Sequence, residues 1–207
     1  MSRNIDFIPF AKPSIGPEEE EAVIKVLRSG WLTTGTEAKN FEEEFAAYIK
    51  SPKALAVNSA TSGLHLALEA FGIGPGDKVI TSPYTFTATA EVIRYLGADP
   101  VFADIDPETF NISPKETNKL LSKDPSIKGI IPVHIGGYPC DMDTLIDIKK
   151  NFGTILIEDA AHSFPVKYKD KFLGNIGDAG VFSFYATKTI TTGEGGMIVT
   201  NNEKAAK

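Results

Sequence analysis

The chain has 207 residues, 42% of them hydrophobic and 23% charged, which excludes a disordered or fibrous protein and leaves room for a substantial core. With 27 acidic against 21 basic side chains and a formal charge of −6, it carries no Lys/Arg-rich stripe able to displace counterions from a nucleic acid. A single cysteine, Cys140, without Cys or His neighbours at metal-ligand spacing excludes an internal disulfide and points away from a metal site, while the polar residues after Met1 and the lack of any long apolar run point away from export and from a membrane; a cytoplasmic protein is expected.

In chain order, Pro17 followed by four glutamates reads as a helix start, because acidic side chains in a first turn face the positive end of the helix dipole. Phe41, Phe45, Tyr48 and Ile49 then recur at the spacing of one apolar helix face. The acidic clusters at 18–21 and 42–44 fall inside these patterns and read as solvated faces. Short apolar, often β-branched runs follow at residues 54–57, 78–81, 101–104, 129–133, 154–158, 179–184 and 197–200, and predict seven strands. Helical patterns lie between them at 62–71, 85–96, 114–122 and 141–151, and a further helix begins within 201–207. Uninterrupted hydrophobicity, as in Ile155, Leu156 and Ile157, means burial on both faces, so an α/β domain with a mainly parallel seven-stranded sheet flanked by helices is expected.

In such a sheet ligands gather beyond the carboxyl ends of the strands, which directs attention to the polar residues there. After the first strand, residues 58–63 (NSATSG) lead directly into a helix, where free N–H groups and hydroxyls form either an anion cradle or an ordinary Ser/Thr cap. After the second, Tyr84 or Phe86 can stack on a planar ring or simply fill core. After the fifth come Glu158, Asp159 and His162; a carboxylate at a buried strand end needs a cation or hydrogen bonds, and a pyridinium nitrogen, a helix cap or a metal would each serve, although Asp159 with His162 is sparse for a metal. After the sixth, Ser183 can donate to a phosphate, and Lys188 is either a solvated surface lysine or a desolvated amine able to attack an aldehyde. The glycines at 193, 195 and 196 match neither a P-loop nor a dinucleotide fingerprint.

Four segments together resemble the DegT/DnrJ/StrS-type sugar aminotransferases, pyridoxal 5'-phosphate (PLP) enzymes of fold type I: PFAKP at 9–13 with GWLTTG at 30–35, NSATS at 58–62, EDAAH at 158–162, and FSFYATKTITTGEGG at 182–196. The resemblance implies that Lys188 forms the Schiff base and shuttles protons, that Asp159 pairs with the pyridinium nitrogen, and that Phe86 stacks on one face of the ring. It further implies that His162 lies near the other face or the 3'-oxygen, and that Ser183 with the Ala60–Thr61 turn holds the phosphate. It implies L-glutamate and a nucleotide-linked keto sugar as substrates, a homodimer, and a product for surface polysaccharide or a glycoside. Residues 1–207 are then the PLP-binding large domain, with an N-terminal helical segment over about 1–50 and without the family's small C-terminal domain. Tyr185, where some relatives carry His, and Gly136-Gly137-Tyr138, in place of Leu-Tyr-Gly, depart from the pattern. A sugar 3-dehydratase on this scaffold carries His at the lysine position, so Lys188 speaks against it. Another fold-type I PLP enzyme, or a shortened chain that binds PLP without turnover, are the alternatives.

Overall fold

Seven strands assemble into one sheet in the computed structural model, which describes residues 8–207; the first seven residues of the expected 1–50 segment lie outside the described residues. The elements in chain order are α1 (Pro17–Ser29), α2 (Thr36–Ile49), β1 (Lys53–Val57), α3 (Ala60–Ala70), β2 (Lys78–Thr81), α4 (Ala88–Tyr95), β3 (Asp99–Phe102), α5 (Pro114–Lys123), β4 (Ile127–Ile131), α6 (Met142–Phe152), β5 (Ile155–Asp159), β6 (Lys167–Tyr168), β7 (Lys171–Phe172), β8 (Ala179–Ser183) and β9 (Gly196–Thr200). The sheet order is β1-β9-β8-β5-β4-β2-β3, and β6 and β7 form a separate two-stranded hairpin. Strands β8, β5, β4, β2 and β3 pair in parallel, whereas β9 runs antiparallel to both of its neighbours, β1 and β8. The sheet is thus mainly parallel with one reversed strand.

Side-chain alternation along each strand feeds two cores. Val79, Ile131, Ile157 and Val181 point to the face covered by Leu64 and Leu68 of α3 and Val92 and Ile93 of α4. Ile80, Ile130 and Leu156 point to the opposite face, against Leu121 of α5 and Leu145 and Ile148 of α6. On that second face, α2 covers the β8–β9 end of the sheet through Phe45 and Ile49, with the Phe45 ring edge-on to Phe182 at 5.0 Å between centroids. Helix α1 buries no residue; its Lys25 reaches Glu37 of α2.

Most expected boundaries moved by one or two residues, and three of the shifts have a clear cause. The third strand begins at Asp99 and includes Pro100, which is tolerated because β3 is the sheet edge and need not donate on its outer side. The fourth strand ends at Ile131, before Pro132. Helix α4 starts at Ala88, not near Thr85, since residues 82–87 form a turn in which the Ser82 hydroxyl accepts from the Tyr84 N–H at 3.0 Å. Residues 201–207 form a turn capped by Asn202, whose side chain accepts from the N–H groups of Lys204 and Ala205, in place of the expected helix. The β6–β7 hairpin, two residues per strand, is too short to leave a period in the sequence.

Candidate active site

Lys188 sits in the loop between β8 and β9, on a turn closed by its own N–H donating to the Tyr185 carbonyl at 2.9 Å. The loop is tied down at both ends: the Phe184 N–H donates to the Gly195 carbonyl at 2.9 Å, and the Phe184 carbonyl receives the Thr192 N–H at 3.0 Å and the Thr191 hydroxyl at 2.9 Å. The half-buried Lys188 amine lines a cavity of about 140 Å³ with His162, Ser183, Gly136, Ala161 and Phe164. Burial pushes the pKa of Lys188 below the ordinary lysine value, and the negative charge of Asp159 partly offsets it. Burial likewise lowers His162, the Lys188 cation lowers it further, and Asp159 opposes both. These shifts place Lys188, His162 and Asp159 within one electrostatic neighbourhood.

Asp159, the last residue of β5, is 5% exposed. Its Oδ2 accepts from the Thr89 hydroxyl at 2.8 Å and its Oδ1 from the Ala161 N–H at 3.2 Å. Alternation sends the preceding Glu158 to the other face of the sheet, where its carboxylate accepts from His134 Nε2 at 3.0 Å and from the N–H groups of Gly174, Ile176 and Gly177 at 2.7, 2.7 and 2.6 Å. Two adjacent buried carboxylates are therefore satisfied by separate donor sets, and the one that acts electrostatically on Lys188 and His162 is Asp159.

Register brings the 58–63 segment to the same end of the sheet. Gly196 pairs with Ser183 on one side and with Val57 on the other, so α3, which starts just after Val57, begins two strands from Ser183, about 10 Å away. The Ser59 hydroxyl caps α3 by accepting from the Ser62 N–H at 3.2 Å, and the N–H groups of Ala60 and Thr61 belong to the first turn, where no intrahelical acceptor exists. A Cβ on Gly196 would lie 2.8 Å from the Ala60 nitrogen and 2.8 Å from the Ser59 carbonyl carbon. The close approach of the α3 start to the sheet thus depends on a glycine there.

Of the residues singled out from the sequence, the cavity brings together Lys188, His162 and Ser183, with Asp159 coupled to the first two. Ala60 and Thr61 lie outside its lining, at the α3 start, and Phe86 is 77% exposed on the turn preceding α4. The sequence pattern gave Thr89 no role and weighed Gly196 only as part of a nucleotide loop; the only signal for Thr89 was a second threonine four residues earlier, at Thr85. No group of three or more His, Cys, Asp or Glu residues able to hold a metal ion occurs among the described residues.

Comparison with known proteins bears on this geometry. A sequence model of the DegT/DnrJ/EryC1/StrS aminotransferase family matches residues 13–207. The spore coat polysaccharide biosynthesis protein SpsC of Bacillus subtilis (strain 168) is 50% identical over 200 residues, which are 97% of this chain and 51% of SpsC. Among solved structures, Spr1654 from Streptococcus pneumoniae in its PLP form superposes with a TM-score of 0.89 at 36% identity, covering 96% of this chain and 54% of that one. DesI, solved in the presence of its TDP-sugar product, superposes with a TM-score of 0.83 at 37% identity, covering 90% of this chain and 47% of that one. The chain spans about half the length of these relatives.

Proposed function

Because the chain belongs to the DegT/DnrJ/EryC1/StrS aminotransferase family over residues 13–207, we propose that it is the cofactor-holding portion of a PLP-dependent aminotransferase. The amino group moves from L-glutamate to a keto sugar linked to a nucleoside diphosphate, in the biosynthesis of surface polysaccharide or a glycoside. One observation carries this reading: a half-buried lysine whose pKa burial has lowered shares a cavity with His162 and Ser183 and lies in the field of the buried Asp159. SpsC, a spore coat polysaccharide biosynthesis protein, and DesI, solved in the presence of its TDP-sugar product, support the substrate class.

The donor set suits PLP: an amine for its aldehyde, a carboxylate for its ring nitrogen, and a hydroxyl with a helix N-terminus for its phosphate. When bound, that cofactor supplies an electrophilic carbon and an electron-accepting ring. Lys188 acts through its neutral amine, whose population at a given pH rises as burial lowers the pKa, first as nucleophile and then as the base and acid that moves a proton at the substrate carbon. The Asp159 carboxylate would hold a positive ring nitrogen. Ser183 and the N–H groups of Ala60 and Thr61 would hold the phosphate, while His162 and Phe86 would confine the ring.

A homodimer and a cytoplasmic location are part of the same proposal. Supporting the first, Tyr84 and Phe110, 53% and 51% exposed beyond the carboxyl ends of β2 and β3, lie 5.9 Å apart between ring centroids, an exposed aromatic pair suited to a second copy. Supporting the second, the one cysteine is a buried free thiol.

The test is spectroscopic. Protein reconstituted with PLP is expected to develop a visible absorbance band that borohydride bleaches, that Lys188→Ala lacks, and that L-glutamate discharges. No band after reconstitution overturns the cofactor assignment, and a band that glutamate never changes overturns the aminotransferase assignment.

A further inference from the structure

A hydroxyl chain reaches the Asp159 carboxylate from the turn before α4 and the first turn of that helix. Thr89, fully buried on the second residue of that helix, has its Oγ1 2.8 Å from Asp159 Oδ2, and the Thr85 hydroxyl lies 2.8 Å from Thr89 Oγ1. A threonine hydroxyl has one proton to give, and a carboxylate oxygen can only accept. The Thr89 proton must therefore point at Asp159, which leaves Thr89 as the acceptor for the Thr85 proton. The direction runs from Thr85 to Thr89 to Asp159 without a free choice. With Oδ1 receiving the Ala161 N–H at 3.2 Å, both carboxylate oxygens carry a donor, so rotation of the carboxylate about its Cβ–Cγ bond breaks two hydrogen bonds.

We propose that Thr89 is a positioning residue for Asp159, fixing the carboxylate plane so that its remaining lone pairs meet the pyridine nitrogen of the cofactor, with Thr85 orienting Thr89. The inference rests on the role proposed for Asp159 above. The two residues are 70 positions apart in sequence, and the contact exists because the 82–87 turn delivers the start of α4 to the carboxyl end of β5. A threonine donor also matches the burial: a charged lysine or arginine at this position would compete with the ring nitrogen for the same carboxylate, whereas a neutral hydroxyl orients it without neutralising it.

The experiment compares PLP with 1-deaza-PLP, which has the same ring, aldehyde and phosphate but no ring nitrogen. Wild type, Thr89→Val, Thr89→Ser, Thr85→Val and Asp159→Asn are titrated with each compound, and cofactor-free samples are melted in parallel. Thr89→Val keeps the branched shape and removes the donor; it is expected to weaken PLP about tenfold, the scale of one hydrogen bond to a charged group, while leaving the 1-deaza-PLP affinity within about twofold. Thr89→Ser restores PLP binding, and Thr85→Val gives a smaller loss, about threefold, again confined to PLP. In the Asp159→Asn background the Thr89→Val loss disappears, as expected if Thr89 acts through Asp159. Equal losses for both compounds in Thr89→Val and Thr85→Val, or no loss in either, overturn the inference; Thr85→Val decides it alone if Thr89→Val does not fold. Failure of the underlying reading has its own signature, a wild-type protein that does not distinguish PLP from 1-deaza-PLP.

Discussion

The imidazole of His134 meets the carboxylate of Glu158 at 3.0 Å, with both side chains fully buried. His134 Nδ1 accepts the Cys140 N–H at 3.1 Å, so the ring proton sits on Nε2 and points at Glu158. Three backbone N–H groups of residues 174–177 converge on the same carboxylate, which clamps that loop to β5 beneath the site. Glu158→Gln replaces one acceptor oxygen by an NH2 group facing N–H donors and is expected to cost about 2–3 kcal/mol of stability, the scale of buried donors left unpaired. Urea denaturation checks this, and a midpoint unchanged from wild type would contradict the clamp.

Lys188 should be the most acid-shifted of the accessible lysines. In cofactor-free protein, labelling by trinitrobenzenesulfonate mapped by mass spectrometry is expected to show a pH midpoint for Lys188 below that of surface lysines, because burial disfavours the ammonium form. Asp159→Asn is expected to lower the midpoint further, since the carboxylate favours the ammonium. A Lys188 midpoint at or above those of its surface counterparts would refute the assignment.

His162 provides the reciprocal measurement. Its pKa lies below the ordinary imidazole value of about 6.5, chiefly through burial and then through the Lys188 cation. Lys188→Met is expected to raise it and Asp159→Asn to lower it, both readable by NMR titration of the ring protons. Because the folded value lies below the unfolded one, the unfolded chain binds more protons between the two, and stability is lost as pH falls through that window. His162→Gln should flatten that acid limb, modestly, as half-exposed charges are screened by solvent.

Gly196 and Gly193 are close in sequence and should differ sharply. A Cβ at Gly196 meets only backbone atoms, the Ala60 nitrogen, the Phe182 oxygen and the Ser59 carbon, each at 2.8 Å, so no side chain can yield. Gly196→Ala is expected to cost about 2–3 kcal/mol and to weaken phosphate-dependent PLP binding, by moving the α3 start away from Ser183. Gly193 has a φ of 81° and open space around its Cβ position, so Gly193→Ala should cost only about 1 kcal/mol of backbone strain. Thermal melts together with PLP titrations separate the two.

Burial raises the pKa of the Cys140 thiol, and its Sγ donates to the Val133 carbonyl at 3.3 Å. The native protein is therefore expected to resist alkylation by iodoacetamide and to become reactive only on denaturation. Rapid labelling of the folded protein would show that the β4–α6 connection opens.

The sequence alone determined the alternation of strands and helices, because burial on both faces demands apolar runs and most crossovers between parallel strands carry an amphipathic helix; the β5–β8 connection holds only the β6–β7 hairpin. It also determined which polar residues follow the strand ends, and the Asp159, Ser183 and Lys188 segments were legible for that reason. Strand order was not legible. The insertion of β9 between β1 and β8 sets the start of α3 two strands from Ser183, and it follows from long-range pairing that no local period records. Glu158 and Asp159 are both acidic residues at one strand end, and only the resemblance to a known family singled out Asp159. The alternating pleat and the donors waiting on each face decided that Glu158 clamps the 174–177 loop and that Asp159, held by Thr89, lies on the opposite face within electrostatic reach of Lys188 and His162. Lys188, by its local context an ordinary surface lysine, takes its lowered pKa from the desolvation that only the folded cavity supplies.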